Sequence, residues 1–314
     1  MPKVGLVGGR GYVGQEIIRG LVGHPRLELS CIASNSLAGK PIAAEYPEWE
    51  SLGLTFASSE PEVLAKQAID VWILALGNGE AKPFAEQLGN TGAKLVDVST
   101  DFRCDPNWQY GLTEAFPTQI AASSRVANPG CYATGVQLAL WPIRQWLVEP
   151  AFAFGVSGYS GAGRKPSPRN DPQRLADNLM PYHLTGHTHE LEIERHLGRH
   201  VRLLPHVAAF LRGITLTVSF QLDRAISDEL VHEQYRKFFA RHSLLAYDES
   251  IPEISKVRNT PFCRVGGLAR DPRDATRWII VSVLDNLSKG AATQAIQNIN
   301  LMCGFDHQLG ITSD

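Results

Sequence analysis

The stretch VGLVGGRGYVGQEIIRGLVGH, residues 4–24, decides the fold of the N-terminal part of this 314-residue chain. It opens with a short apolar run, Val4–Val7, and closes with a segment of helical apolar periodicity. Between the two stand four glycines, Gly8, Gly9, Gly11 and Gly14. The order strand, glycine turn, helix is typical of the first unit of a parallel sheet whose strands alternate with helices.

More apolar strands follow, and Ala-, Glu- and Lys-rich helical stretches separate them; we predict strands at 27–33, 71–76 and 94–98. This alternation predicts an α/β fold, with a Rossmann-type doubly wound sheet in a nucleotide-binding domain. Beyond about residue 150 the pattern changes to longer β-rich segments at 201–210, 214–222 and 278–284, with a helical stretch at 227–241. We therefore expect a second, α+β catalytic and dimerisation domain with a mixed sheet.

The length supports two domains, because one hydrophobic core rarely serves 314 residues. The tail, residues 289–302, reads as an amphipathic helix that could return to the first domain. We predict that residues 1–130 with 286–314 form the first domain and that residues 131–285 form the second.

The composition argues against nucleic-acid binding and membrane insertion. Thirty Lys and Arg residues against 32 Asp and Glu leave a formal charge of −2, so there is no global field to hold nucleic acid or an anionic membrane. No apolar run has the length of a membrane helix and the N-terminus lacks a signal-peptide pattern, so we predict a cytoplasmic protein. The five cysteines are scattered without a C-x-x-C pair and are expected to be free thiols.

Gly8, Gly11 and Gly14 have the spacing G-x-x-G-x-x-G, a variant of the dinucleotide-binding fingerprint. About 20 residues further on, an NAD site would have Asp or Glu, but here Ser34-Asn35-Ser36 and then Lys40 occur. Hydroxyls and a lysine can hold a 2′-phosphate that an acid would repel, so NADP is favoured over NAD. The alternatives are a glycine turn without ligand and a polar turn with a solvated lysine.

The motif NPGCYATG, residues 128–135, leads into a helical pattern. Cys131 would therefore sit at a helix N-terminus, where the helix dipole and free N–H groups stabilise a thiolate. This makes Cys131 a candidate nucleophile. The other four cysteines, Cys31, Cys104, Cys263 and Cys303, are expected to be buried and to act as small apolar residues.

A third cluster contains His187, His189, Glu190 and Glu192. If a helix starts here, Glu192 shares a face with His189 and could orient its imidazole for acid/base work. Zinc bound by the H-x-H pair is the alternative, but further ligands are not evident, and we predict no metal. An ordinary polar surface patch is the third possibility.

Taken together, these motifs give the chain a resemblance over nearly its whole length. It resembles the N-acetyl-γ-glutamyl-phosphate reductase family, NADP-dependent enzymes of arginine biosynthesis, within the acyl-phosphate reductase group that includes aspartate-semialdehyde dehydrogenase. The motifs that carry the resemblance are, in order, VGGRGYVGQE, DVSTDFR, NPGCYATG, SGYSGAGRK, PYHLTGHTHELEI, LLPHVAAFLRGI, PFCRVG and DNLSKGAATQAIQNIN.

The resemblance implies roles for individual residues. Cys131 is then the nucleophile and His187 the acid/base, with His189 and Glu192 in the same constellation. The residues implied to contact NADP(H) are Gly8, Gly11, Tyr12, Val13, Gly14, Ser34, Ser36, Lys40, Gly77 and Asn286. Those implied to line the substrate side are Arg103, Ser160, Gly161, Gly163 and Arg164, and the family also implies a homodimer or homotetramer.

The reaction implied is attack of the Cys131 thiolate on an acyl phosphate, loss of phosphate, and reduction of the thioester to an aldehyde. Candidate side chains for the substrate anions are Arg103, Arg164, Lys165 and Arg212. The sequence departs from the family at Ala133, where proline is usual, and at Thr188, where arginine is usual. Two alternatives stay open: a related reductase of β-aspartyl or carrier-bound aminoadipyl or glutamyl phosphate, and a non-catalytic NADP-binding sensor.

Overall fold

The computed structural model of the chain describes residues 1–311 and divides into two compact units. The first unit contains Met1–Pro129 and the segment that begins at Ala291, and the second contains Gly130–Gly290. The last residues of the predicted nucleotide-binding domain, 312–314, lie outside the described residues.

A six-stranded parallel sheet forms the centre of the first unit. Its strands are β1 (Lys3–Val7), β2 (Glu28–Ala33), β3 (Val71–Leu74), β4 (Lys94–Asp97), β5 (Gln109–Tyr110) and β6 (Arg125–Ala127). The spatial order is β2-β1-β3-β4-β6-β5, and every neighbouring pair is parallel. The predicted α/β class with a parallel sheet is confirmed.

Helices cover both faces of this sheet. They are α1 (Tyr12–Leu21), α2 (Ile42–Glu45), α3 (Pro61–Leu64), α4 (Lys82–Gly89), α5 (Pro117–Ala121) and, from the C-terminal segment, α10 (Thr293–Met302). One apolar core contains residues of α1, α5 and α10, and a second contains residues of α3 and α4. A strand covered on both faces must be apolar throughout, which is why β3 is an uninterrupted VWIL run.

The C-terminal helix returns to the first unit as expected, where it packs on α1, α5 and β4. Its predicted amphipathic character is wrong, because nine of its ten residues are buried. Two of the polar ones have partners inside the unit: Gln294 donates to Thr113, and Asn298 donates to Asn128. A π-helical turn, Ser288–Ala292, precedes the helix where the sequence predicts regular helix.

A seven-stranded mixed sheet forms the second unit. Its strands are β7 (Leu147–Gly158), β8 (Leu179–Pro181), β9 (Val201–Ala208), β10 (Ile214–Leu222), β11 (Leu245–Asp248), β12 (Cys263–Arg270) and β13 (Arg277–Leu284). They lie in the order β11-β12-β13-β10-β7-β9-β8. The pairs β7/β9 and β11/β12 are parallel and the others antiparallel, so the predicted mixed sheet is confirmed.

The helices of the second unit are α6 (Cys131–Leu140), α7 (Pro172–Leu175), α8 (Thr188–Leu197) and α9 (Asp228–Phe239). Helix α6 packs on β10 and β13, and α8 packs on β9 and α6. Nine consecutive residues of α6 are buried, so this helix forms the centre of the unit. No helix in the described range is long and apolar enough to cross a membrane.

Candidate active site

The glycine turn of the first unit connects β1 to α1 with little space for side chains. Gly8 has a φ of +91°, and a Cβ there would come within 2.2 Å of the Ala75 carbonyl oxygen. A Cβ on Gly14 would lie 2.3 Å from the Gly8 carbonyl oxygen, so the helix start packs directly on the turn. Gly11 is the N-cap of α1, whose first turn carries Tyr12 and Val13. These residues form the backbone cradle that a pyrophosphate requires at a helix N-terminus.

The loop after β2 supplies hydroxyl groups beside this turn. Ser34 is buried, whereas Ser36 and Lys40 are exposed. Arg10, which stands between two glycines of the fingerprint, donates from Nη1 to Ser36 Oγ at 2.9 Å. Arg10 was missed in the sequence, although a cation between two glycines of the fingerprint is visible there.

Gly77 follows β3 in a loop that acidic side chains hold in place. Its N–H donates to Glu80 Oε2 at 3.3 Å. The Asp101 carboxylate accepts from the N–H groups of Gly79 and Ala81, at 2.6 and 3.0 Å. Gly77 therefore lies at the carboxyl edge of the parallel sheet, where nucleotides bind in such folds.

The remaining predicted cofactor contact, Asn286, belongs to the second unit. Its Oδ1 accepts from the Gly213 N–H at 2.7 Å and its Nδ2 donates to Ser160 Oγ at 2.9 Å. The side chain thus connects the loop before β10 to the turn after β7. Its predicted contact with the cofactor stays a prediction.

Cys131 is the first residue of α6, as predicted, and is half-buried. Of the cysteines expected to be buried, Cys31 and Cys263 are, whereas Cys104 is exposed, so that expectation is wrong for Cys104. The N-cap residue Gly130 has extended backbone and gives its carbonyl to the Thr134 N–H. The ten-residue helix places its positive dipole end at this position, which favours a thiolate. The opposite side is tight, because a Cβ on Gly290 would lie 2.7 Å from Cys131 Cβ.

Glu192 lies beneath this turn with 1% of its surface exposed. Its Oε1 accepts a hydrogen bond from the Gly130 N–H at 2.8 Å. The sequence predicts that this carboxylate orients His189, which stays a prediction. The structure shows that it binds the residue preceding the nucleophile. The neighbouring Glu190 reaches β9 instead, where its Oε1 accepts from the Leu203 N–H at 2.8 Å.

His187 is the N-cap of α8, and its Nδ1 accepts from the His189 N–H at 3.2 Å. An accepting Nδ1 places the proton of the neutral ring on Nε2. Burial, followed by the nearby His189 and His183, lowers the pKa of His187 to about 3. The ring is therefore neutral near pH 7 and presents Nε2–H as a donor.

Two tyrosines surround this histidine pair. The Tyr132 ring lies 6.1 Å from both His187 and His189, and its hydroxyl donates to the His206 carbonyl at 2.8 Å. The Tyr182 ring lies 5.9 Å from that of His187. Burial raises the pKa of Tyr182 to about 12, so its phenol stays protonated. Tyr182 was missed in the sequence, although PYH precedes the histidines.

The residues predicted for the substrate side fall in different places. Ser160, Gly161 and Gly163 lie in and just after the 3₁₀ turn Tyr159–Ala162; Ser160 is buried, whereas Arg164 and Lys165 are exposed. Arg103 belongs to the first unit, where its Nε and Nη2 donate to the carbonyls of Asn128 and Val98, at 2.9 and 3.0 Å.

Arg212 is buried and pairs with Asp285 through Nε, at 2.6 Å. The Asp285 carboxylate also accepts from the backbone N–H groups of Asn259, Leu287 and Ser288. Asp285 was not selected from the sequence, because only the folded chain brings it to Arg212. Across residues 1–311 we find no group of three or more His, Cys, Asp or Glu side chains that could hold a metal ion.

Comparisons with known proteins agree with this arrangement. Residues 3–123 match the family described as semialdehyde dehydrogenase, NAD binding domain, and residues 131–286 match semialdehyde dehydrogenase, dimerisation domain. The chain therefore carries both a nicotinamide-dinucleotide domain and a dimerisation domain of this family.

Solved structures share the fold. Aspartate semialdehyde dehydrogenase II of Vibrio cholerae, complexed with ASA, has a TM-score of 0.79 at 17% identity, covering 97% of this chain and 98% of the other. Aspartate semialdehyde dehydrogenase of Candida albicans with NADP has a TM-score of 0.76 at 16% identity, covering 97% and 99%.

Curated relatives are more similar in sequence. The N-acetyl-gamma-glutamyl-phosphate reductase of Xanthomonas campestris pv. campestris is 43% identical over 98% of both chains. That of Stenotrophomonas maltophilia is 41% identical over 98% of this chain and 97% of its own length. Because these relatives are 41–43% identical over nearly the whole of both chains, the chain belongs to the N-acetyl-γ-glutamyl-phosphate reductase family.

Proposed function

We propose that this protein is an NADPH-dependent reductase of N-acetyl-γ-glutamyl phosphate, which it converts to N-acetylglutamate 5-semialdehyde and phosphate in arginine biosynthesis. The observation that carries the proposal is the position of Cys131 at the N-terminus of a buried helix, whose next residue, Tyr132, lies against His187 and His189. The family membership supports the same substrate.

In the proposed mechanism the Cys131 thiolate attacks the acyl carbon, and the C–O bond to phosphate breaks as the thioester forms. The helix N-terminus stabilises negative charge, first on the sulfur and then on the developing oxyanion. The neutral His187 offers its Nε2–H as a hydrogen-bond donor to that oxygen or to the leaving phosphate. Its neighbour His189 would exchange protons with solvent or substrate.

The first unit fits a nicotinamide dinucleotide, because the cradle around Gly8 and Gly14 leaves no room for a Cβ. When bound, NADPH supplies the hydride that reduces the thioester. The chain's own contribution is to bind the cofactor through the turn residues 8–14 and to hold the 2′-phosphate by Arg10, Ser34, Ser36 and Lys40. The Arg10 contact with Ser36 supports NADP over NAD, since it brings a cation to the hydroxyl.

We assign residues 1–130 with 286–314 to nucleotide binding and residues 131–285 to catalysis and dimerisation. A homodimer, or a tetramer built from it, would use the open face of the second sheet. That face exposes Phe152, Phe154, Leu204 and Ile279, with exposed fractions between 38% and 48%. An apolar strip of this kind is typical of subunit interfaces. Sedimentation of wild type and Phe152→Asp tests this assignment.

The experiment that tests the function is the reverse reaction. N-acetylglutamate semialdehyde, phosphate and NADP are mixed with the protein, and the reduced cofactor is followed by its absorbance. Phosphate-dependent reduction supports the proposal. Activity on aspartate semialdehyde alone would assign a related reductase instead, and no activity on any semialdehyde would favour an NADP-binding sensor. The predicted cytoplasmic location stays a prediction that cell fractionation can check.

A further inference from the structure

A cationic side chain, Arg169, lies near the histidine pair, and no sequence motif indicated it. Arg169 belongs to the loop between the 3₁₀ turn after β7 and the short helix α7. It is half-buried, and its Cζ lies 4.8 Å from the centroid of the Tyr182 ring. Cation–π contact at this distance holds the guanidinium in place.

A series of ring contacts connects Arg169 to the residue that follows the nucleophile. Tyr182 lies 5.9 Å from His187, and His187 lies 6.1 Å from Tyr132, the residue after Cys131. The charge of Arg169 contributes to the lowered pKa of His187, which is consistent with this proximity. Arg169 is therefore part of the site that surrounds Cys131 in the second unit.

The half-buried Arg169 and the buried Arg212 of the same unit differ in their partners. Arg212 is paired with Asp285 at 2.6 Å, whereas we find no ion pair of Arg169 among residues 1–311. The other predicted cations of the same loop, Arg164 and Lys165, are exposed. A half-buried guanidinium without a carboxylate partner is suited to bind an anion that arrives with the substrate.

The sequence also lacks a cation at a related place. Thr188, an uncharged residue, stands between the two histidines. Arg169 comes near His187 from another segment of the chain, through its contact with Tyr182. Arg169 can therefore supply positive charge to this site, because the start of α8 has no cation between the two histidines.

We propose that Arg169, held against Tyr182, binds an oxyanion of the acyl-phosphate substrate, either its carboxylate or its phosphate. This inference rests on the proposed function, since it takes the substrate to be an acyl phosphate that also carries a carboxylate. Both groups offer the paired oxygens that a guanidinium recognises.

Arg169→Gln tests the proposal in the reverse reaction, where the two anions are separate reactants. If Arg169 binds the carboxylate, the KM for the semialdehyde rises by roughly 10- to 100-fold, as expected for a lost charge-assisted hydrogen bond. If it binds the phosphate, the KM for inorganic phosphate rises instead. Arg169→Lys should lie between wild type and Arg169→Gln, because it keeps the charge but not the planar fork.

The matched control is Arg174→Gln, an exposed arginine of the short helix α7, which follows the Arg169 loop. It should leave both KM values near those of wild type. Values for Arg169→Gln within about twofold of wild type for both reactants would overturn the proposal. An equal rise in the KM for semialdehyde, phosphate and NADP would also overturn it, because that result describes a general disturbance of the site.

A second measurement does not depend on turnover. Alkylation of Cys131 by iodoacetate, an anion, is compared with alkylation by neutral iodoacetamide, and the Cys131 peptide is quantified by mass spectrometry. We expect the iodoacetate-to-iodoacetamide rate ratio to fall several-fold in Arg169→Gln and to stay unchanged in Arg174→Gln. An unchanged ratio in Arg169→Gln would count against the proposal even if the enzyme acts on another semialdehyde. The anion-binding role of Arg169 and the proposed reductase function can thus be refuted independently.

Discussion

Glu192 accepts a hydrogen bond from the backbone N–H of Gly130, at 2.8 Å, across 62 residues of sequence. Both residues are buried, and Gly130 is the N-cap of the helix that begins at Cys131. The carboxylate of α8 therefore fixes the turn that presents the thiol. An acidic side chain that the sequence assigns to proton transfer has a positioning role as well.

Removal of this acceptor should loosen the nucleophile turn. We expect Glu192→Ala to lower the free energy of unfolding by about 1–3 kcal/mol, because the buried Gly130 N–H loses its partner. Glu192→Gln keeps an acceptor oxygen and should lose less. Urea unfolding of the three proteins measures the difference, and equal losses in both variants would contradict the positioning role.

The thiol itself is tested by Cys131→Ser. We expect kcat to fall on the order of 10³-fold or more, since a hydroxyl at this position is a far weaker nucleophile. Nucleotide affinity should remain nearly intact, because the predicted cofactor residues of the first unit are unchanged. Trapping of the acylated enzyme and fluorescence titration with NADPH check the two expectations. Full turnover by the serine variant would refute the thioester mechanism.

Cofactor choice depends on the cations beside the glycine turn. We expect wild type to prefer NADPH to NADH by a wide margin in kcat/KM. Arg10→Ala should reduce the preference by roughly 10-fold or more, and Lys40→Glu should reverse much of it, because an acid repels the 2′-phosphate. NADH kinetics serve as the control, since NADH lacks that phosphate. Equal kcat/KM values for both cofactors in wild type would contradict the assignment.

The buried His187 predicts a pH dependence of stability. Its folded pKa is about 3, below the ordinary value of 6.5, so the unfolded chain binds more protons between these values. The stabilisation is complete above about pH 6.5 and is lost as the pH falls toward 3, at up to about 1.4 kcal/mol per pH unit.

His187→Asn is the matched control for this effect, because asparagine can still cap α8 but does not titrate. Urea unfolding at pH 7.5, 6.0 and 5.0 should show a shallower decline in the variant than in wild type. Parallel declines would show that another group causes the acid sensitivity. His24, whose pKa burial lowers in the first unit, contributes in the same direction in both proteins.

Much of the fold could be predicted because its signals are local. Strand β3 was expected to start at Val71 and does, since a strand covered on both faces needs an unbroken apolar run. The character of α10 could not be predicted in this way. In the sequence, Gln294 and Asn298 predict a solvent-facing side of this helix, yet both side chains donate hydrogen bonds inside the unit, to Thr113 and Asn128.

In the candidate site, too, some features follow from local sequence and others depend on the folded chain. The position of Cys131 at a helix start follows from the glycine before it and the apolar periodicity after it, both within a few residues. Arg10 meeting Ser36 and Arg169 meeting Tyr182 depend on loops that come together only in the folded chain. The sequence showed which side chains were cationic, hydroxyl-bearing or aromatic, but it did not show which of them would be in contact.

The sequence by itself determined which elements exist: the glycine turn after β1, the cysteine at the start of α6 and the histidines at the start of α8. Each depends on backbone preferences and apolar spacing over a few residues, which local sequence encodes. Only the tertiary structure decided that Glu192 holds Gly130, that Asp285 holds Arg212 and that Arg169 lies on Tyr182. Those pairs form when segments distant in sequence pack together, and packing geometry is a property of the whole unit.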